Sequence, residues 1–423
     1  MGKIKLNGLE KRWVLYDIGN SAFTLLVSTI LPIYFASLTD AAGISETDSL
    51  AYWGYATSLV TIIVAFMGPI LGTIADFKGM KKPIFLASVI IGAVACLLMG
   101  APLPWILFLV FFVIAKIGYS ASLVFNDAML PDVTTNDRMD MVSSFGYAWG
   151  YIGSCVPFIL SIVVVMFLGL PIGIGMMIAL IINAVWWIAF TVPLLKSYKQ
   201  IHYVERQPKM IVASFKRLGK ALTSIKSEKG IFLFLLAFFF YIDGVYTIID
   251  MATTFGTALG FGATTLLLAL LVTQIVAFPC AIIFGRIAAK VNNDKLIKIC
   301  IVAYACIAIY ALQLDQAWEF WVLAVCVGMF QGGIQALSRS YFAKIIPAEK
   351  AGEYFGIYDI FGKGAAFFGV LLVSITTQLT ESPNYGVASI AILFVAGFIT
   401  FHFAAKENRR VQTERSLADN SQE

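Results

Sequence analysis

Residues 173–195 read GIGMMIALIINAVWWIAFTVPLL, and this block decides the fold because it holds no charged residue over a length that can cross a bilayer. A helix of about 20 apolar residues spans a hydrocarbon core that is about 30 Å thick. The apolar residues run on continuously rather than alternating with polar ones, so the block predicts a helix and not a strand of a closed barrel. The chain is therefore expected to cross a membrane.

Blocks of this kind recur along almost the whole chain. Of its 423 residues, 60% are hydrophobic and 13% are charged, whereas soluble domains average about 45–50% apolar and about 25% charged residues. The predicted membrane-spanning blocks lie at about 13–38, 50–75, 83–100, 105–127, 141–168, 173–195, 231–255, 265–285, 296–312, 318–343, 352–379 and 385–405. The sequence thus predicts an all-α membrane protein with twelve transmembrane helices.

The basic residues provide an independent check on these spans. If the amino terminus is cytoplasmic, every Lys and Arg falls in an inner segment except Lys116 and Lys363, which lie inside predicted helices. This distribution follows the positive-inside rule and predicts that both termini are cytoplasmic. The net charge of +5 therefore reflects membrane topology and does not indicate a nucleic-acid partner.

Polar segments divide the chain. The longest, 196–230, separates an amino-terminal half at 1–195 from a carboxyl-terminal half at 231–405. Apolar residues recur in it at helical spacing, which favours an amphipathic helix on the membrane surface, although a solvated connector is an alternative. These residues are Ile211, Phe215, Leu218, Leu222 and Ile225. The tail at 406–423 is polar and lacks periodicity, so we expect it to be disordered.

Cysteine and histidine patterns point away from metal and enzyme chemistry. The six cysteines all lie in apolar blocks, and the two histidines, His202 and His402, lie near the inner face. No HExxH sequence and no Walker-type loop occurs. We therefore expect no metal site, no cofactor and no enzymatic activity.

The loop after the second predicted helix reads GTIADFKGMKK at 72–82. Its glycines permit a tight turn and a close approach between helices, and its aspartate can form a charge lock with the lysines at the inner face. An ordinary basic loop is the alternative. The equivalent loop in the second half keeps a glycine and basic residues but lacks the aspartate. The candidate gate residues are Gly72, Asp76, Gly79, Lys81 and Lys82.

Further stretches narrow the identification. They read WVLYDIGNSA at 13–22, VFNDAMLPD at 124–132, SFGYAWGYIG at 144–153, GGIQALSRS at 332–340 and EYFGIY at 353–358. Together with the loop at 72–82, they resemble the vacuole-effluxer-like branch of the major facilitator superfamily. The resemblance covers residues from about 13 to 370. One departure is Asp127, where the family's pattern has a neutral asparagine.

This resemblance implies the major facilitator fold, in which two six-helix pseudo-repeat halves are joined by a cytoplasmic linker. It also implies secondary transport by alternating access. Fungal members of the branch export amino acids from the vacuole, whereas its bacterial members largely have no assigned substrate. The short loops of this chain favour a bacterial member, located in the inner membrane of the cell.

Ionised side chains inside the predicted helices are the main functional candidates, because each costs at least about 2.5–3.5 kcal/mol to insert near the bilayer centre. Lys116 and Asp243 lie near the middle of the fourth and seventh helices, and Asp250 follows Asp243 by two turns on the same face. The resemblance places helices 1, 4, 7 and 10 around a central cavity. The candidate substrate- and proton-binding residues are Asp17, Asn20, Lys116, Asp243, Asp250, Gln331, Gln335, Arg339 and Lys363.

A zwitterionic amino acid needs an anion for its ammonium group and a cation for its carboxylate. Asp243 or Asp250 can supply the anion and Lys116 the cation, and a buried carboxylate can also carry a coupling proton. Structural alternatives exist for several of these residues. They are a Lys116–Asp243 ion pair, packing of Asp17 near the inner surface, mutual neutralisation of Asp359 and Lys363, and snorkelling of Arg339 to the inner surface.

The sequence therefore predicts a monomeric, lipid-embedded secondary transporter of a small polar solute, most simply amino acids, coupled to protons. A carrier of sugars or of solutes that resemble lipid headgroups is an open alternative. An integral-membrane enzyme is less favoured because no nucleophile–base pair occurs at one depth. A sensor without transport activity is also less favoured, since it does not need two buried charges of opposite sign.

Overall fold

The computed structural model of the chain describes residues 5–206, 214–219 and 228–420, and at positions 263, 363–367 and 415–420 it describes the backbone only. Long helices dominate the described residues. They are α1 (Gly8–Ala41), α2 (Glu46–Ala75), α3 (Lys81–Leu98), α4 (Trp105–Ala128), α5 (Met139–Ile162), α6 (Ile172–Ser197), α7 (Lys229–Ala258), α8 (Ala263–Ala288), α9 (Asn293–Tyr310), α10 (Ala317–Ile345), α11 (Ala351–Thr380) and α12 (Ala391–Asn420).

Shorter elements connect some of these helices. A single helical turn occurs at Leu130–Val133 and a helix of seven residues at Pro383–Ser389. Helix α5 continues into a π-helical turn at Val163–Phe167. Helix α1 begins at Gly8 because the Asn7 side chain accepts from the Glu10 amide at 2.8 Å while the Glu10 carboxylate accepts from the Asn7 amide at 2.7 Å. This capping box satisfies two amides that the first turn leaves free.

The predicted membrane spans correspond to these helices. Eleven helices in the described part of the chain are long and apolar enough to cross a membrane. The other predicted span falls on α11, where five side chains are not described, so the count of twelve stays a prediction. Large apolar side chains cover the outer helix surfaces, and Phe66 and Ile392 are 72% and 64% exposed. Such surfaces are stable in lipid and not in water.

The chain forms two compact units. Unit 1 comprises Met1–Thr135, Phe145–Gln207 and Ala348–Ile357, and unit 2 comprises Asn136–Ser144, Pro208–Pro347 and Tyr358–Glu423. Each unit thus contains most of one predicted half and a short segment of the other. The two short segments, 136–144 and 348–357, include the first turns of α5 and α11.

Helix pairs in unit 1 recur in unit 2 when six is added to each helix number. Helix α1 packs on α6 as α7 packs on α12, and α3 packs on α4 as α9 packs on α10. A side-chain pair repeats as well. The Tyr16 hydroxyl donates to Ser122 Oγ at 2.6 Å between α1 and α4, and the Tyr241 and Ser338 hydroxyls are 2.7 Å apart between α7 and α10. The chain therefore contains an internal structural repeat.

The carboxyl-terminal segment differs from the expectation of disorder, since α12 continues to Asn420. Its polar part contacts other helices of unit 2. The Asn408 amide donates to the Gly230 carbonyl and to the Tyr341 hydroxyl, each at 3.2 Å, and Arg409 forms an ion pair with Asp294. These contacts stabilise the polar part of α12, for which the hydropathy of the sequence does not predict a helix. In the linker, residues 214–219 are helical, and the remainder of the predicted amphipathic helix lies outside the described residues.

Candidate functional site

Asp243 lies in the middle of α7 and is completely buried in unit 2. Its Oδ1 accepts hydrogen bonds from the Gly369 amide of α11 at 2.8 Å and from Thr247 Oγ1 at 3.3 Å. Its Oδ2 has no hydrogen-bond partner among the described atoms, which do not include the Lys363 side chain. A buried carboxyl group with one free oxygen and no described cation is costly unless its protonation state or its surroundings change.

The first and seventh helices carry similar short stretches, YDIG at 16–19 and YIDG at 241–244, but this similarity is only partly structural. Tyr16 and Tyr241 occupy matching positions, but Asp17 follows its tyrosine by one residue and Asp243 by two. A difference of one residue rotates a helical side chain by about 100°. Asp17 accordingly faces α4, whereas Asp243 faces α11.

The other candidates of unit 2 occupy different environments. Asp250 lies nearer the end of α7 and is exposed. Gln331 and Gln335 lie one turn apart on α10 and are 5% and 8% exposed. Gln331 Oε1 has no hydrogen-bond partner among the described atoms. Asp359 is half-buried, and the side chain of Lys363 lies outside the described residues, so their mutual neutralisation stays a prediction.

Asp17 and Asn20 belong to a buried polar group where α1 meets α4. Asp17 Oδ1 accepts from Asn126 Nδ2 at 3.1 Å and from Asn20 Nδ2 at 3.5 Å, and Asn20 also donates to the Tyr16 carbonyl at 3.1 Å. The Trp13 indole donates to the Asn126 carbonyl at 2.9 Å. These contacts fit a packing role for Asp17 as well as a transport role.

Lys116 is half-buried on α4 in unit 1. Its Nζ lies 5.3 Å from the centre of the Tyr119 ring, which is within the range of a cation–π contact. The hydroxyls of Tyr119 and Thr24 are 2.5 Å apart. Lys116 and Asp243 belong to different units, and their predicted ion pair stays an expectation.

The loop aspartate, Asp76, is completely buried in unit 1 at the amino end of α11. Oδ1 accepts from the Gly352 amide at 2.7 Å and Oδ2 from the Glu353 amide at 3.0 Å. The first amides of a helix lack partners within the helix and carry a partial positive charge, so a carboxylate is a favourable cap. Helices α2 and α11 come this close because positions 72 and 352 are glycines. A Cβ on Gly72 would overlap the Gly352 carbonyl.

The lysines of the same loop differ from each other. Lys81 is completely buried, and its Nζ donates to Asp132 Oδ2 at 3.2 Å and to the Ala128 carbonyl at 3.1 Å. Lys82 is exposed. Gly79 has a φ of +75°, which favours glycine, and its amide donates to Gln200 Oε1 at 2.9 Å.

The Asp132 carboxylate accepts several further hydrogen bonds. The Tyr198 hydroxyl donates to Oδ2 at 2.5 Å, and the backbone amides of Ile201 and His202 donate to Oδ1 at 3.2 and 2.8 Å. Burial and the nearby Asp132 carboxylate raise the pKa of Tyr198 well above 10.0, so the phenol stays neutral and keeps donating. The segment after α6 is thereby fastened to the ends of α3 and α4 in unit 1.

Unit 2 contains a polar cluster, at the end of the helices that we expect to face the cytoplasm, that the sequence analysis missed. Asp140, in the first turn of α5, accepts at Oδ1 from Asn293 Nδ2 and Ser340 Oγ, both at 2.6 Å, and at Oδ2 from Lys344 Nζ at 2.5 Å. In the second half, Ala289 occupies the position that corresponds to Asp76, and the buried aspartate of this cluster lies on α5 instead. An acidic residue is common in the first turn of a helix, so the sequence did not indicate a special role for Asp140.

Arg339 does not snorkel, since only 3% of it is exposed. Its Nε donates to Ser143 Oγ at 2.9 Å, and its NH2 group donates to the Ser143 carbonyl at 3.0 Å. The structural alternative that placed its charge at the inner surface is therefore wrong. The guanidinium instead joins α10 to the first turns of α5 within unit 2.

Known proteins share this sequence pattern. Residues 44–414 match the family described as "Vacuole effluxer Atg22 like". A Bacillus subtilis protein, described as "Uncharacterized MFS-type transporter YxiO", is 44% identical over 407 residues, which are 94% of this chain and 95% of the relative. Autophagy-related protein 22-1 of Penicillium rubens is 29% identical over 292 residues, which are 61% of this chain and 47% of the relative. The chain thus matches about half of that fungal protein's length.

A solved structure shares the fold at low sequence identity. The proton:xylose symporter XylE, of the major facilitator superfamily, is 10% identical with a TM-score of 0.68, and the match covers 93% of each chain. A likeness at this identity shows a common architecture and does not transfer a substrate.

Proposed function

Because this chain belongs to the vacuole-effluxer (Atg22-like) family and is an MFS-type transporter, we propose that it transports amino acids by alternating access in exchange for, or together with, protons. The proposal includes an inner membrane of a bacterial cell as its location, cytoplasmic termini and a monomeric working unit. The positive-inside pattern and the Bacillus relative support the first two points.

The observation that carries the proton coupling is the environment of Asp243. One oxygen is held by a backbone amide and a threonine hydroxyl, and the other has no described partner in a completely buried site. A proton on Oδ2 removes the charge that burial penalises, and its departure leaves an anion that must gain water or a cation. Protonation is thus linked to the surroundings of α7, as coupled transport requires.

The solute's own charges are assigned to two other side chains. Lys116 provides the cation for a carboxylate, and Asp250 provides the anion for an ammonium group, since Asp250 is exposed whereas Asp243 is not. Candidate side chains of both signs favour amino acids, which carry both charges, over sugars, which need hydrogen bonds and no ion pairs.

The inner-face clusters are assigned a gating role. Asp76 caps α11 within unit 1, and Asp140 joins α5 to α9 and α10 within unit 2. Each cluster depends on a few charge-assisted hydrogen bonds, which form or break as a set when a helix end moves. We propose that they stabilise one conformation of the transport cycle.

Purified protein in liposomes tests the proposal. With a pH gradient imposed, we expect uptake of some labelled amino acids, and a protonophore should abolish accumulation. Asp243→Asn, which preserves shape, should lose the dependence on the gradient but retain exchange of solute. Asp40→Asn is the matched control for coupling, since it changes an exposed carboxylate on α1 that has no assigned role.

Two results would contradict the proposal. Accumulation that is equally strong without a proton gradient removes proton coupling, and accumulation of labelled sugars but no amino acid removes the solute class. If Lys363→Ala reproduces the Asp243→Asn result, the carboxyl group is paired with that lysine and does not carry the proton alone.

A further inference from the structure

A mostly apolar pocket lies within unit 2, between α7, α8 and α10, and its empty space of about 470 Å³ is partly open to the surroundings. The apolar part of its lining includes Ile248 of α7, Leu270 of α8 and Phe320, Leu323 and Val327 of α10. A site of this composition accepts an uncharged apolar group and excludes an ion.

Two amide side chains, Gln274 of α8 and Gln331 of α10, interrupt the apolar lining. Gln331 lines the cavity and is 95% buried, and its Oε1 has no hydrogen-bond partner among the described atoms. The buried hydroxyl of the lining, Thr273 Oγ1, is satisfied, because it lies 3.0 Å from the Ala269 carbonyl and 3.1 Å from the Ala324 carbonyl. Since buried acceptors in proteins are nearly always paired, Gln331 Oε1 marks a place for a donor that a ligand brings.

Gln331 lies at one end of the stretch of α10 that lines the cavity. Phe320, Leu323, Val327 and Gln331 lie on one face of α10, and eleven residues of helix correspond to about 16 Å. A suitable ligand group is therefore a rigid apolar body that carries a neutral donor at its tip. A hydrocarbon would leave Oε1 unpaired, and an ammonium group would meet apolar walls.

We propose that this cavity binds a phenol group of the transported solute, with the phenol O–H donating to Gln331 Oε1. The inference rests on the proposed function for the identity of the remainder of the solute. Gln331 then sets specificity, since a site built around a buried acceptor discriminates against an analogue that lacks the donor.

Equilibrium binding of two small probes to the purified full-length protein tests the cavity separately from transport. We expect p-cresol to bind about tenfold more tightly than toluene, the factor for one net hydrogen bond. Gln331→Leu should abolish this preference, and Gln378→Leu, which alters an exposed glutamine of α11, should preserve it. Equal binding of the two probes, or a preference that survives in Gln331→Leu, overturns the proposal.

Thermal stability without ligand gives a second readout. Replacing an unpaired buried amide by an apolar side chain of similar size removes a desolvation cost, so Gln331→Leu should raise the unfolding midpoint. A lowered or unchanged midpoint would show that Oε1 is already paired in the protein, and it would overturn the proposal.

Transport measurements separate the failure of this inference from that of the proposed function. If amino acids are accumulated without preference for tyrosine over phenylalanine and p-cresol does not bind, the cavity inference fails and the proposed function stands. If p-cresol binds through Gln331 but no amino acid is transported, the cavity stands as a phenol site and the proposed function fails.

Discussion

The amide of Gly369 lies 2.8 Å from Oδ1 of Asp243, and the absence of a side chain at position 369 makes this contact possible. A Cβ built on Gly369 would lie 2.5 Å from Oδ1 of Asp243 and would overlap Oγ1 of Thr247. Helix α11 therefore approaches α7 closely at the depth of the buried carboxylate. The donor that orients Asp243 is a backbone amide. Side-chain substitutions elsewhere therefore do not remove this donor.

Gly369→Ala should displace Asp243 and weaken proton-coupled accumulation, because the added methyl group competes for the space of the carboxylate. Overpacking of this kind typically costs about 1–3 kcal/mol. The initial rate of uptake under a pH gradient and the thermal unfolding midpoint measure the effect. Gly362→Ala is the control, since its Cβ would lie 3.3 Å from the Phe238 ring, a far milder overlap than at Gly369. A similar loss of uptake and stability in both variants would mean that α11 tolerates no added side-chain volume, whatever its distance from Asp243.

Asp76→Asn should lower the transport rate while the protein still folds. The amide side chain keeps one acceptor oxygen for Gly352 or Glu353 but loses the charge that interacts with the amino end of α11. That interaction is worth up to about 2 kcal/mol in buried geometry. Rates in liposomes at matched reconstitution levels provide the measurement. Asp40→Asn, at an exposed position, should behave as the unmodified protein, and an unaffected Asp76→Asn would exclude the gating role.

Lys81→Ala and Lys82→Ala should differ sharply in stability. The first leaves Asp132 buried without its cation, and breaking a buried pair costs about 3–5 kcal/mol. The second alters an exposed side chain, where changes usually stay within about 0.5 kcal/mol. Thermal unfolding in detergent should show a clear decrease for Lys81→Ala alone. Asp132→Asn combined with Lys81→Ala should recover part of the loss, and no recovery would argue against the pair.

The Asp140–Lys344 contact should appear as a coupling energy. Asp140→Asn and Lys344→Gln each break the 2.5 Å ion pair, so the second substitution should cost little once the first is present. Residues in one hydrogen-bond network typically couple by about 0.5–3 kcal/mol. Unfolding midpoints and transport rates of the single and double variants test this. Strictly additive effects would show that the two side chains act independently.

Much of the fold was accessible from the sequence because membrane insertion acts on local composition. The blocks at 173–195 and elsewhere needed only their length and lack of charge to indicate helices. Energetic cost also identified Asp243, since a carboxyl group inside a span is expensive wherever its neighbours lie. These features depend on single segments, and a single sequence reveals them.

The contacts that complete the site were not accessible in this way. Gly369, which holds Asp243, is 126 residues away in the chain, and glycines in membrane helices usually indicate packing alone. The phenol cavity depends on three helices, and Gln331 was a candidate only through its predicted depth. Lys81 and Lys82 look alike in sequence and differ in burial, because helix orientation decides which lysine reaches Asp132.

The length of α12 bears on how this protein can be studied. A helix of 30 residues extends about 45 Å, which exceeds the bilayer core, so its final turns project from the membrane as a stiff rod. A fluorescent reporter fused directly after α12 would have its position fixed by this helix. It would be held near Asp294, the partner of Arg409. Fusions therefore need a flexible spacer, or the label itself will perturb the inner end of α9.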